Sequence, residues 1–200
     1  MSILCRLVHS SIGKKLLVAV AGLLLCGFLV THLAGNLLLF VSEGAFNNYA
    51  KTLESNPFLI PAEIALAGLF LLHIVTSVWL KFQNRAARPV GYEMSKSKGG
   101  RSAGSRSMAI TGTLVLAFLI VHLKTFKFGE KFDGLYRLVM DSFADPLYTG
   151  FYVVAMLGLM LHLSHGVQSA FQTFGVNHPK WTPLIRKTGF AFAGVIAGGF

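Results

Sequence analysis

Charge is what this 200-residue chain most lacks. Only 13% of its residues are charged, where a soluble domain carries about a quarter. Several long runs hold no charge at all, 54% of residues are hydrophobic and the mean hydropathy is +0.61. That excludes an ordinary soluble domain and points to a polytopic membrane protein. Acid is scarcer than base: 8 Asp and Glu stand against 18 Lys and Arg, a formal charge of +10. Nucleic acid is not the expected partner, because the basic residues lie in short links between oily runs, where membrane topology accounts for them. Cysteine is limited to Cys5 and Cys26. With no CxxC spacing and no second pair, they read as free thiols, excluding a disulfide framework and a thiolate zinc motif. The start, MSILCRLVHSSIGKK, is basic but lacks a small-residue cleavage site after a short apolar run, so no removable signal peptide is expected.

What is there is oil. Apolar segments run over about 16–41, 59–80, 108–123, 147–174 and 189–200. Crossing about 30 Å of hydrocarbon takes about 20 residues of helix. The first four suffice, the third being short enough to stand upright, while the fifth is expected to be incomplete. None alternates with period two, so they are helices rather than barrel strands. The expected fold is an all-α membrane protein, a five-helix transmembrane bundle in one domain over 1–200, with no internal repeat.

The links give an orientation. Between the first two spans Lys51 faces Glu43 and Glu54. Between the third and fourth, Lys124, Lys127, Lys131 and Arg137 balance Glu130, Asp133, Asp141 and Asp145. The other side carries Arg6, Lys14, Lys15, Lys180, Arg186 and Lys187. Its link adds Lys81, Arg85, Arg88, Lys96, Lys98, Arg101 and Arg106 against Glu93 alone. The positive-inside rule then puts the N-terminus in the cytoplasm of a cell whose inner membrane holds the chain.

Of seven histidines, five fall within spans: His32, His73, His122, His162 and His165. A single buried histidine is commonly a ring bonded to a backbone carbonyl. Ionisable residues inside a bilayer are rare and functional by default, and here four successive spans each carry at least one. At about 1.5 Å per residue, His32 lies about 25 Å beyond Lys15 and His122 about 24 Å beyond Arg106. They share a layer near the outer face. His73 and His162 lie a similar depth beyond Asn56 and Asp145, which puts them in a second layer nearer the cytoplasm. Two layers with two histidines each are what two bis-histidine haems need, since neutral imidazole binds iron on each face of the macrocycle. Gly35, Gly112 and Gly158 provide small surfaces for a slot between helices. The alternative is a membrane protein that moves metal or protons through histidines. Such sites recruit carboxylates or thiolates, yet only Glu63 falls in a span and Cys26 has no partner thiol.

Within GLMLHLSHGV, His162 and His165 are three residues apart and share a broad face, so periodicity does not choose between them. Depth matching with His73 favours His162.

The segments RLVHSSIGKK, THLAGN, GAFNNYAKTLESNPF, LLHIV, VHLKTF and LHLSHGVQSAFQTFGV resemble the di-haem membrane anchor of the succinate:quinone oxidoreductase family, which includes fumarate reductases. The resemblance covers nearly the whole chain. It implies a cytochrome b with two b haems beneath which an iron–sulfur subunit and a flavoprotein dock. It implies His32 and His122 on the distal haem and His73 and His162 on the proximal one. Menaquinone is expected near the distal haem, with Glu54 and Glu63 as candidates at a quinone site. His9 and Lys14 are candidates for haem propionates, while His165 could meet a propionate, the iron–sulfur subunit or a backbone carbonyl. Some fumarate reductases of the family carry a glutamate two residues before the fourth-helix ligand, implicated in transmembrane proton transfer. Met160 stands there instead.

Overall fold

The computed structural model describes residues 10–87 and 103–200, the side chains of 103–105 excepted. His9 and Cys5 lie outside the described residues, as does most of the basic link. Among the described residues the regular structure is entirely helical. The helices are α1 (Ser11–Asn36), α2 (Glu43–Glu54), α3 (Leu59–Ala86), α4 (Ala103–His122), α5 (Leu135–Ala144), α6 (Pro146–Thr173) and α7 (Thr182–Gly199). A 3₁₀ turn, Leu37–Phe40, extends α1, and a π turn, Leu123–Lys127, extends α4. Four of these helices are long and apolar enough to cross a membrane: those over Ser11–Phe40, Leu59–Ala86, Arg106–Lys127 and Pro146–Thr173. The chain is a multi-pass all-α membrane protein.

The ends of the long helices are written locally. Ser10 caps α1 by accepting from the Gly13 amide at 2.9 Å. Asp145 caps α6 by accepting from Leu147 at 2.9 Å, with Pro146 at the first helical position, where no amide hydrogen is needed. Past Thr173 the amides of Val176 and Gly175 bond back to Phe171 and Gln172, each at 3.0 Å. Gly175 sits at φ 83°, the left-handed geometry that this helix stop requires.

The core lies where α1, α6 and α7 meet, at Leu33, Leu159, Leu163, Ala193 and Ile196. Large apolar side chains elsewhere point outward, including Ile60, Ile64, Val75 and Phe82 on α3. A helix oily on every face needs apolar surroundings outside as well as inside, and lipid supplies them.

Two elements differ from the expected spans. The links between spans one and two and between three and four contain the helices α2 and α5. They pack together through Phe46 and Tyr136, and Asn47 accepts from the Tyr136 amide at 3.0 Å. They are short and amphipathic, so their few apolar positions form no long run. The fifth helix starts at Thr182 rather than near 189, taking in Arg186 and Lys187, and buries Gly189, Ala193 and Ile196.

Charge divides the bundle by end. Where α2 and α5 lie, acids and bases mix: Lys131 pairs with Glu54 at 2.8 Å, Lys127 with Glu63, and Arg137 with Glu43 at 3.6 Å. At the opposite end stand Lys14, Lys15, Lys81, Arg85, Arg106, Lys180, Arg186 and Lys187, with no acid among the described residues.

Candidate functional site

Four helices each carry one histidine into the bundle, and the rings meet in two pairs. His32 of α1 and His122 of α4 have ring centres 5.8 Å apart. His73 of α3 and His162 of α6 have centres 6.3 Å apart. All four rings are partly buried. The pairs join helices that do not pack extensively on one another. The main packing runs α3 on α1, α1 on α6, α6 on α4, and α7 on α6. Each pair therefore reaches across the bundle rather than along a helix seam. Between α3 and α4 an open groove passes Ala109, Thr113 and Ala117, with Lys81 on its α3 side.

The spacing has a chemical meaning. An imidazole nitrogen bonds a metal ion at about 2 Å and its ring centre lies about 1 Å further back, so two trans imidazoles on one ion have centres about 6 Å apart. Both pairs stand close to that separation.

Three of the four rings are also held by their other nitrogen. His73 Nδ1 lies 3.2 Å from the Val18 carbonyl of α1. A carbonyl only accepts, so this contact places the proton on Nδ1 and leaves the lone pair on Nε2. His122 Nδ1 lies 3.2 Å from the Tyr152 phenol, and His162 Nδ1 3.4 Å from the Thr111 hydroxyl. Fixing one nitrogen by a hydrogen bond is how metal-ligating histidines are oriented. Among the described residues no group of three or more His, Cys, Asp or Glu side chains comes together, so each pair stands without a third anionic donor.

Glycines let the rings approach. A Cβ on Gly22 would lie 3.2 Å from Cε1 of His73, and one on Gly112 would lie 3.6 Å from Cε1 of His162. Gly158 instead packs against Leu114, and Gly35 against Tyr49. Gly22, Val18, Thr111 and Tyr152 were not marked by the sequence. The usable signal was a hydroxyl inside a span at a histidine's depth, which Tyr152 and Thr111 both present.

The remaining candidates are placed as follows. His165 lies one turn beyond His162 toward the lysine-rich end, half-buried and outside both ring pairs. Lys14 is buried, donates to Gln83 Oε1 at 3.0 Å, and sits 4.6 Å from the Trp79 ring centre. Its ammonium thus ties the start of α1 to the end of α3. Glu54 and Glu63 are ion-paired to Lys131 and Lys127 at the mixed-charge end. Met160 packs against the α1–α6–α7 core, and no titratable group stands at its position.

No family model matches the chain, and no solved structure matches it. One curated protein does, the succinate dehydrogenase cytochrome b558 subunit of Bacillus subtilis (strain 168). It is 26% identical over 157 residues, covering 74% of this chain and 72% of that protein. The chain is thus similar to a succinate dehydrogenase cytochrome b subunit. The alignment extends over most of both chains, so the likeness is not confined to one motif.

Proposed function

We propose that this chain is the membrane anchor and di-haem b electron-transfer subunit of a succinate dehydrogenase or fumarate reductase. In that role it passes electrons between a membrane quinone, menaquinone by family resemblance, and an iron–sulfur subunit that adjoins a flavoprotein. The observation that carries the reading is the pair of histidine pairs, each near the separation that two bonds to one metal ion impose. The relative's name supports the same reading.

The residues fit the group. Nε2 is left as the free donor on His73 by the Val18 carbonyl. Each pair joins helices that do not pack extensively on one another, as ligands reaching one group from opposite helices would. Bound haem supplies a one-electron iron couple whose potential follows ligand basicity, burial and nearby charge. The protein's own part is to fix four imidazoles at two depths and to exclude water around them. His32 and His122 hold the distal haem in this reading, and His73 and His162 the proximal one. The lysine-rich end faces the cytoplasm, where the positive-inside rule puts it and where the iron–sulfur subunit docks. His165 faces that end. Glu54 and Glu63 stand at the other, where quinone exchanges protons. Met160 gives no carboxylate for a transmembrane proton path.

Purification with its native partners tests this. A low-spin b-type spectrum, two haems per chain, and co-purifying flavoprotein and iron–sulfur subunits are expected. A haem-free chain from haem-replete cells overturns the reading.

A further inference from the structure

His122 is held by a side chain where His73 is held by backbone. Its Nδ1 meets the Tyr152 phenol at 3.2 Å, and the Tyr152 and Tyr148 phenols share a hydrogen bond of 2.9 Å. Tyr152 is buried, and its ring is boxed by Phe118 at 4.9 Å, Phe143 at 4.8 Å and Tyr148 at 4.7 Å between centres. The π turn after His122 adds Phe126, 6.4 Å from Tyr152. A ring packed on this many sides has one place for its hydroxyl, and that place is beside His122.

We propose that Tyr152, with Tyr148 behind it, is a positioning residue that aims His122 and sets its strength as an electron donor. This rests on the di-haem reading. A neutral imidazole bonded to metal through Nε2 carries its proton on Nδ1, so Nδ1–H donates and the phenol oxygen accepts. An acceptor there gives the ring more imidazolate character and raises its basicity. A more basic axial ligand favours ferric over ferrous iron and lowers the potential. The Tyr148 hydroxyl donates to the same Tyr152 oxygen at 2.9 Å and so steadies the acceptor that His122 meets. The phenols thus join the His32–His122 pair to the mixed-charge end, where α6 begins.

The experiment is a redox titration of the intact complex, followed by haem absorbance and low-spin electron paramagnetic resonance. Tyr152→Phe keeps the ring and removes the oxygen. It is expected to raise the potential of the component that His122→Ala abolishes. The expected change in that one-electron equilibrium is about threefold to tenfold, tenfold being about 59 mV. The other component stays put. Tyr148→Phe, which leaves the Tyr152 oxygen in place, is expected to shift the same component in the same direction by less. It also serves if Tyr152→Phe does not assemble. An unmoved distal component in both variants, or a shift confined to the other component, overturns the proposal and makes Tyr152 a packing residue only. Wild-type complex without haem overturns the functional reading instead.

Discussion

The two histidine pairs are built by different means. His73 and His162 are set by backbone and small residues. The Val18 carbonyl, the Thr111 hydroxyl, and the bare Cα atoms of Gly22 and Gly112 are their nearest partners. His32 and His122 sit in an aromatic box instead. Phe28 stacks on His32 at 5.2 Å, Phe200 lies 5.5 Å from it, and Phe118 and Phe126 lie 5.5 and 5.4 Å from His122. A ring placed by helix backbone moves only if helices move. A ring placed by side chains can be retuned one residue at a time. The first pair is therefore the rigid one and the second the adjustable one.

The largest test of this contrast removes a ring. Under the di-haem reading, His73→Ala and His162→Ala abolish the same spectral component, and His32→Ala and His122→Ala abolish the other. Optical spectra of the purified complex read this directly. Loss of one component by both His32→Ala and His73→Ala would break the pairing. His165→Ala is expected to keep both, and loss of the proximal component there but not in His162→Ala would exchange their roles.

The next effect in size comes from filling the backbone gap. A Cβ at Gly22 already presses on the His73 ring at 3.2 Å, so Gly22→Val forces the ring or α1 aside. Overpacking of this kind costs about 1–3 kcal/mol. The component of His73 and His162 is expected to lose occupancy on heating before the other does. Equal losses in both components would mean that Gly22 serves general helix packing.

How much of this was legible beforehand follows from what each feature depends on. The depth of a residue along a span depends only on rise per residue and on where the charges stop. Which rings share a layer was therefore readable without knowing how the helices turn. The Nδ1 partners depend on rotation about the helix axis. Val18 contributes a backbone carbonyl, which no side-chain pattern reveals. Gly22 is one glycine among 21, and membrane helices use glycine for packing everywhere. Glycines noted as a slot proved mixed in use, since Gly112 faces His162 while Gly158 meets Leu114 and Gly35 meets Tyr49. The helices α2 and α5 were hidden because amphipathic turns of 12 and 10 residues make no long oily run. Lys14 was a candidate to meet a haem propionate, and its contacts to the Gln83 oxygen and the Trp79 face, across α1 and α3, depend on helix rotation that the sequence does not show.

A smaller effect is expected at Thr111. Its hydroxyl bonds the Ser107 and Met108 carbonyls at 3.1 and 3.3 Å, and meets His162 Nδ1 only at 3.4 Å. Thr111→Val keeps the shape and removes the hydroxyl, whose only contact to the ring pair is the long one, so the cost to His162 sits near the lower end of about 0.5–1.5 kcal/mol. The His73–His162 component is expected to shift upward in potential by less than Tyr152→Phe shifts the other. A larger shift at Thr111 would reverse which pair is the adjustable one.

The smallest effect belongs to the cap outside the bundle. Glu54 and Lys131 form an exposed pair at 2.8 Å, and such pairs contribute about 0–1 kcal/mol. Their separation from both ring pairs gives Glu54→Gln no route to either spectrum. The variant is expected to leave both haem components and the melting temperature nearly unchanged, and to lose little stability as salt is raised, since screening weakens the wild-type pair as well. Quinone turnover in the same preparation then reads Glu54 separately from the haems: slowed turnover with unaltered spectra places the carboxylate at the quinone, and unaltered turnover leaves it as one half of a surface pair. A displaced His32–His122 component would instead mean that α2 holds the aromatic box in shape, and the adjustable pair would then depend on the cap as well as on its own side chains.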